Sequence, residues 1–77
     1  MSSKSYSILM LQAINDANPF LIGVKLAKIC VKLDIPVKDV AEYVGVSPQT
    51  IRNWFFGQTE VSARHADKIE ALVKKLS

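Results

Sequence analysis

A short stretch of the chain, Ser47 to Asn53, carries polar side chains whose spacing would let them act together. It reads SPQTIRN, so hydroxyls, amides and a guanidinium group follow one another closely. If the stretch is helical, Gln49, Arg52 and Asn53 share one face, because residues three and four apart are neighbours on a helix. Glutamine amides suit pairing with adenine, and guanidinium groups suit guanine or phosphate. These residues therefore suggest hydrogen bonding to a polar partner, with nucleic acid as one candidate.

Groups for catalysis and metal binding are sparse. The seven carboxylates are scattered, and no pair is placed for acid–base work. His65 is the single histidine and has no cysteine near it, so it is a poor metal ligand or base and is predicted to lie on the surface. Cys30 lies in an apolar stripe and is predicted to be a buried hydrophobe. We expect no enzyme, no cofactor, no metal site and no small-molecule ligand.

Length and composition bound the class of protein. The chain has 77 residues, 49% of them hydrophobic, which predicts one small domain over residues 1–77. A single cysteine excludes a disulfide framework and fits a reduced, intracellular environment. Neither a membrane span nor a signal peptide is found, so a cytoplasmic protein without membrane contact is expected. The net charge of +3 permits a polyanionic partner without demanding one.

Turn-forming residues divide the chain into segments with helical spacing of apolar residues. No segment alternates with period two, so an all-α fold is predicted, a compact five-helix bundle. Serine or asparagine precedes several segments and gives candidate N-caps, namely Ser5, Asn18 and Ser47. The expected helices are 6–17, 19–33, 37–44, 48–56 and 62–76, with residues 1–5 flexible.

The second predicted helix is apolar on two sides. One stripe contains Ile22, Leu26, Ile29, Cys30 and Leu33, and the other contains Phe20, Val24, Ala27 and Val31. Such a helix is packed on two sides. One stripe is expected to meet the segments downstream, and the other either the 6–17 helix or a second subunit. The lysines between the stripes are expected to face solvent, with phosphate binding as the alternative; they are Lys25, Lys28 and Lys32.

Residues 37–56 fit a helix-turn-helix, two short helices joined by a tight turn. Ala41 is small where the helices would cross closely, and Gly45 follows where the chain must turn with a positive φ. Ile51 and Trp54 would then point back onto the first helix. The pattern A-x3-G-x5-I-x2-W, with a capped second helix and a glycine stop at Gly57, favours this motif.

The stretch DVAEYVGVSPQTIRNWFFGQT resembles the helix-turn-helix of the lambda-repressor/Cro-like family of DNA-binding domains. The resemblance covers residues 21–76 and implies a recognition helix in the major groove of double-stranded DNA. It also implies a dimer on a two-fold operator and a small transcriptional regulator, of the repressor type found in phages and mobile elements, associated with the nucleoid. Two features depart from the family. Val37 stands where a phosphate-contacting glutamine is usual, and the 6–17 helix is extra.

Contacts to DNA are assigned on this basis. The N-terminal part of a recognition helix meets base edges, which predicts base contacts, in order, from Gln49, Asn53, Arg52, Ser47 and Thr50. Phosphate contacts are expected from the backbone N–H groups at helix starts and from Lys38, Gln58, Thr59 and Arg64.

The three consecutive aromatic residues cannot all be buried on one face. Trp54 is predicted to be core and Phe55 half-buried on the same side. Phe56 either folds back onto residues 61–66 or contributes to an interface with a second subunit or with DNA. Exposed apolar residues expected at a dimer surface are Ile8, Leu9, Leu11 and Phe56, together with the second stripe of the 19–33 helix.

Two other functions compete with sequence-specific DNA binding. The chain could be a protein-interaction module, antitoxin-like or adaptor, that uses the same fold without reading DNA. It could also be an architectural protein that binds all duplexes with similar affinity. A shift of DNA at moderate salt, and its dependence on sequence, would separate the three.

Overall fold

The computed structural model describes residues 5–77, and its regular secondary structure is entirely α-helical in that part of the chain. The predicted all-α fold with five helices is therefore confirmed for these residues. Flexibility is predicted for residues 1–5, of which residues 1–4 lie outside the described part of the chain. That residues 1–77 form a single domain stays a prediction. The helices are α1 Ile8–Asp16, α2 Ile22–Leu33, α3 Val37–Val44, α4 Pro48–Phe55 and α5 Ala63–Leu76.

The turn between α3 and α4 has the predicted geometry. Gly45 has φ 90°, and its N–H donates to the Ala41 carbonyl at 2.8 Å. A Cβ atom at position 45 would meet nothing within 4 Å, so the requirement for glycine comes from the backbone conformation alone. Ala41 is 2% exposed in the core. The bounds of α3 are the predicted ones, and α4 ends one residue earlier than expected.

The first helix is shorter than the sequence suggested. We expected residues 6–17 with Ser5 as the N-cap, but Ser7 is the cap, and its hydroxyl accepts from the Met10 N–H at 3.2 Å. Tyr6 precedes the helix in the chain and is 2% exposed. Its hydroxyl donates to the Ile35 carbonyl at 2.6 Å. The chain enters α1 from this buried anchor, which no local signal reveals.

The start predicted for the second helix is wrong. Asn18 was expected to cap a helix from Pro19, but its side-chain oxygen accepts from the Phe20 N–H at 2.9 Å within a turn, and α2 begins at Ile22. An asparagine that bonds the backbone two residues on makes a turn rather than a helix start. Phe20 therefore lies outside α2 and is 83% exposed, which corrects its place in an apolar stripe.

Two apolar stripes do pack on two sides of α2. Val24, Leu26, Ala27 and Cys30 are fully buried, and α2 contacts α1, α4 and α5. Burial raises the pKa of the Cys30 thiol to about 11, which agrees with its prediction as a small buried hydrophobe. Burial also raises the pKa of Tyr6, with smaller contributions from Cys30 and Asp34. Leu33, assigned to a stripe, is 48% exposed.

Helices α2 and α4 meet at Gly23, a contact that the sequence did not predict. A Cβ atom on Gly23 would lie 2.7 Å from the Trp54 carbonyl oxygen and 3.0 Å from the Trp54 Cβ. Real Cβ contacts are not that short, so only glycine lets the two backbones approach this closely. Gly23 thereby fixes how α4 sits on the rest of the fold.

The end of α4 is closed by backbone hydrogen bonds. Gly57, with φ 70°, donates to the Trp54 carbonyl at 3.2 Å, and Gln58 donates to the Asn53 carbonyl at 3.0 Å. This pair of bonds is the Schellman motif, which satisfies carbonyl groups that the helix leaves open. The glycine stop is thus confirmed, and α4 is a short helix with a defined C-terminal end.

Candidate nucleic-acid interface

Helix α4 has one face in the core and one facing outward. Ile51 and Phe55 are 0% exposed and Trp54 is 5% exposed. Phe55, expected to be half-buried, is thus fully buried. It follows Trp54 by one residue and Ile51 by four, so all three lie within one inward arc. The outward face carries the residues assigned to bases: Gln49 and Arg52 are exposed, and Asn53 is half-buried.

The start of the outward face is organised by its first two hydroxyl residues. Ser47 is the N-cap, and its Oγ accepts from the Thr50 N–H at 3.2 Å. The same Oγ lies 3.0 Å from the Thr50 Oγ1, so the two hydroxyls also form a hydrogen bond. A serine cap contributes about 1 kcal/mol to a helix. Ser47 therefore has a structural task beside the base contact assigned to it.

The two amides of the outward face are paired with each other. Gln49 Nε2 donates to Asn53 Oδ1 at 3.1 Å, across one helical turn. The pair restricts two flexible side chains before any partner binds, and restricted side chains lose less conformational entropy on binding. It still leaves the Gln49 oxygen and three amide N–H bonds available. Arg52, between them in sequence, is the single charged residue of α4.

Three of the four side chains assigned to phosphates lie beyond the C-terminal end of α4. Gln58 and Thr59 are exposed, and their N–H groups both donate to the Asn53 carbonyl, at 3.0 and 3.3 Å. Arg64 is exposed in the first turn of α5, whose N-cap is Ser62. These residues border the helix that carries the amide pair.

His65 connects α5 to α4 and is not the plain surface residue that was predicted. It is half-buried, its ring centroid lies 5.7 Å from that of Trp54, and its Nδ1 lies 3.0 Å from the Ser62 Oγ. Aromatic pairs at this separation stabilise packing. The contact holds the start of α5, and with it Arg64, beside α4.

Lys38 is set apart from the other candidates, on α3. It is exposed in the first turn of that helix, whose N-cap, Pro36, makes no side-chain cap bond. Val37, which replaces the family's glutamine, is 5% exposed in the core. Position 37 therefore supplies packing and no polar side chain, so a phosphate at this end of α3 would be left to Lys38 and the backbone N–H groups.

The residues expected at an interface divide into two groups. Ile8, Leu9 and Phe20 are 69%, 76% and 83% exposed. Leu11 and Phe56, in contrast, are partly buried against the core. Their expected exposure is corrected, because helix α1 packs its Leu11 side on α2 and the chain turns at Phe56 toward Gly57.

Three contacts of this region were not predicted from the sequence. The Gln49–Asn53 bond could have been anticipated from the i, i+4 spacing of two amides. The close approach at Gly23 had a weaker signal, a glycine inside an apolar helical segment, which often marks close packing. The His65–Trp54 contact has no local signal, since the two residues lie on different helices.

Within residues 5–77, no group of three or more histidine, cysteine, aspartate or glutamate side chains is arranged to hold a metal ion. None of the described helices combines the length and the apolar character that crossing a membrane requires.

The geometry defines a helix-turn-helix protein whose second motif helix presents polar side chains outward. A family model described as helix-turn-helix matches residues 26–75, which is more than half of the chain. The chain therefore belongs to the lambda-repressor/Cro-like helix-turn-helix family, a family of DNA-binding domains. The resemblance seen in the sequence is confirmed. No curated protein and no solved structure gave a significant match. Helix α1 lies outside the matched residues.

Proposed function

We propose that the protein binds double-stranded DNA sequence-specifically, with α4 in the major groove. The proposal rests on one observation, that α4 has a buried inward face and a polar outward face. Its inward residues are locked in the core, while Gln49, Arg52 and Asn53 stand on the outward face, two of them already joined in a hydrogen-bonded pair. A major groove admits a helix of this kind, and its base edges offer the donors and acceptors that these side chains match.

Each outward residue has a distinct role in the proposed complex. Gln49 pairs with adenine through its free oxygen and its second N–H, and Asn53 donates to an acceptor on a neighbouring base. Arg52 contacts guanine or a phosphate. Thr50 offers its methyl group to thymine, and Ser47 contacts the DNA at the start of the helix while it caps α4.

Phosphate contacts hold the helix in register. DNA phosphates at the C-terminal end of α4 are contacted by Gln58, Thr59 and Arg64. Phosphates on the other side are contacted by Lys38 and the N–H groups at the start of α3. Contacts of this kind position the protein and carry no sequence information themselves. They should account for most of the salt dependence of binding.

The test is to select bound fragments from random duplexes and then to titrate the best site with variants. Gln49→Ala should cost about 1–3 kcal/mol with the selected site and relax the preference at one base pair. Arg64→Ala should weaken all duplexes alike and lower the salt slope by about one. Lys74→Ala, on the exposed side of α5, is the matched control. Unchanged affinity and preference in Gln49→Ala and Arg52→Ala would refute the assignment.

We also propose that the protein is intracellular and binds DNA as a homodimer. In this form it would regulate transcription. A net charge of +3 lets one subunit neutralise only a few phosphates. Two subunits on half-sites about 34 Å apart double these contacts. Phe20 is the exposed aromatic best placed for the dimer surface. A Cβ on Gly57, at the end of α4, would lie 3.5 Å from the Leu21 side chain, so Phe20 stands near that end.

The dimer is tested by sedimentation of two single variants. Phe20→Ser should dissociate the dimer and leave thermal stability unchanged, because the side chain is exposed. Ile8→Ser tests the exposed start of α1 in the same way. A mass corresponding to the monomer for the wild-type protein, free and on DNA, would contradict the proposed dimer and leave the base contacts untouched.

A further inference from the structure

Helix α1 creates a groove that the matched part of the chain would not have by itself. The groove lies between α1 and α2, has a volume of about 280 Å³, and is lined by Leu11, Ile14, Asn15, Lys28 and Val31. Its floor is apolar, since Ile14 is buried while Leu11 and Val31 are partly buried. Helix α1 ends before residue 26, where the family match begins.

The α2 side of the groove is cationic: Lys28 lines the groove, and Lys25 and Lys32 lie on the same side of α2 beyond it, so the three are called the cationic wall. Lys25, Lys28 and Lys32 are all exposed and recur at i, i+3 and i+7 along α2. Such spacing places them on one side of a helix. The groove-lining residues of α1 are Leu11, Ile14 and Asn15, none of them acidic. An apolar floor beside a row of exposed ammonium groups is complementary to a partner that offers apolar side chains flanked by carboxylates.

The cationic wall lies on the side of α2 away from the recognition helix. Gly23 faces α4, since a Cβ atom at this position would lie 2.7 Å from the Trp54 carbonyl oxygen. The three lysines are displaced from Gly23 by roughly 140–200° around α2 at 100° per residue. Phosphates bound by α4 therefore do not reach this row, and a partner seated there would leave α4 free.

We propose that the α1–α2 groove is a docking site for an acidic amphipathic helix of another protein. Apolar residues of that helix fill the groove over Leu11 and Val31, and its carboxylates face Lys25, Lys28 and Lys32. The site gives the appended helix α1 a function separate from DNA binding, and it is open whether or not DNA is bound.

The experiment uses the full chain and two synthetic probes. One is a helical peptide of about 14 residues with leucines at i, i+3, i+4 and i+7 and flanking glutamates. The other carries lysines in place of the glutamates. Amide resonances of the isotope-labelled protein are followed during titration with each peptide. The acidic peptide should shift the signals of Leu11, Asn15 and Lys28 saturably, and the basic peptide should not.

A charge reversal then tests the cationic wall. Lys28→Glu should weaken the acidic peptide about fivefold and allow the basic peptide to bind. Lys74→Glu, the same charge change on α5, should leave both titrations unchanged. Absence of saturable shifts, or equal binding of both peptides, overturns the proposal.

Two further measurements exclude other occupants. If Lys28→Glu lowers DNA affinity as much as Arg52→Ala does, the lysines serve phosphates and the proposal fails. If Lys28→Glu dissociates a dimer, the groove holds a second copy of this chain and the proposal fails as well. The peptide titration needs no DNA, so its result is independent of whether the proposed sequence-specific binding is correct.

Discussion

The helix-turn-helix of α3 and α4 and the N-terminal segment from Ser5 to Leu21 are fixed in different ways. The first is bounded by local signals: the positive φ of Gly45, the Ser47 cap and the backbone bonds at the end of α4. The second has a Ser7 cap and packs on α2, and its start is tied to the rest of the fold by two long-range hydrogen bonds. The Tyr6 hydroxyl donates to Ile35 and the Ser5 N–H donates to Asp34, each across 29 residues.

The difference shows where each region is vulnerable. A motif whose helix ends are fixed by local interactions keeps its helices when one distant contact is lost. Its position in the fold depends on its packing against the core. A segment whose start is anchored by a few distant hydrogen bonds opens more readily when one of them is lost. The segment also attaches to the turn between α2 and α3, where Asp34 has φ 55° and the Ile35 N–H donates to the Cys30 carbonyl at 2.8 Å.

The largest expected effect on the free energy of unfolding concerns the packing of α4 in the core. Phe55→Ala should lower the free energy of unfolding by about 3–5 kcal/mol, because a fully buried aromatic ring is replaced by a cavity. Phe56→Ala should cost distinctly less, since that ring is only partly buried. Urea denaturation followed by circular dichroism measures both. Equal losses would mean that Phe56 is as much a part of the core as its neighbour.

The next effect tests the junction between α2 and α4. Gly23→Ala introduces a methyl group 2.7 Å from a backbone oxygen. Overpacking of about 1–3 kcal/mol should outweigh the gain in helix propensity of up to about 1 kcal/mol, and α4 should shift on the core. Gly45→Ala is the comparison, because there the cost is the left-handed conformation alone. A stabilised Gly23→Ala protein would show that the two backbones can separate freely.

A third test uses alkaline pH. The Cys30 thiol has its pKa raised by burial from near 9 to about 11, so the folded state favours the protonated thiol. Its contribution is complete below pH 9 and is lost as the pH rises toward 11, by about 2 kcal/mol. Unfolding of the wild type and of Cys30→Ala, measured from pH 8 to 11, should show a shallower decline in the variant. Parallel curves would assign the decline to other groups, Tyr6 first among them.

The smallest effect breaks the anchor of the N-terminal segment. Tyr6→Phe keeps the buried ring and removes the hydrogen bond to Ile35, at a cost of about 1 kcal/mol. Amide exchange should then rise in α1 and stay unchanged in α3 and α4. Tyr43→Phe, at an exposed position on α3, is the control. Exchange that rises equally in both regions would mean that they unfold as one unit.

The elements that local interactions determine could be predicted from the sequence. The bounds of α3 and the start of α4 follow from Gly45, Ser47 and Pro48, residues that fix the backbone near themselves. An element could not be predicted where a distant contact decides between equivalent local signals. Ser5 and Ser7 are equally good caps in isolation, and the burial of Tyr6 selects Ser7.

The candidate site shows the same limit. Periodicity predicted which residues of α4 face outward, because α4 is regular and its inward side was identifiable from Ile51 and Trp54. It could not show that His65 packs on Trp54, since that contact joins two helices. The base and phosphate contacts themselves stay predictions until DNA binding is measured.

Asn53 serves the molecule through two separate groups. Its side chain pairs with Gln49, while its backbone carbonyl accepts the N–H groups of Gln58 and Thr59. The carbonyl is present whatever side chain the residue carries. Position 53 can therefore be varied, together with position 49, without rebuilding the loop that follows. New binding preferences could be selected from a library at these two positions while the scaffold is kept.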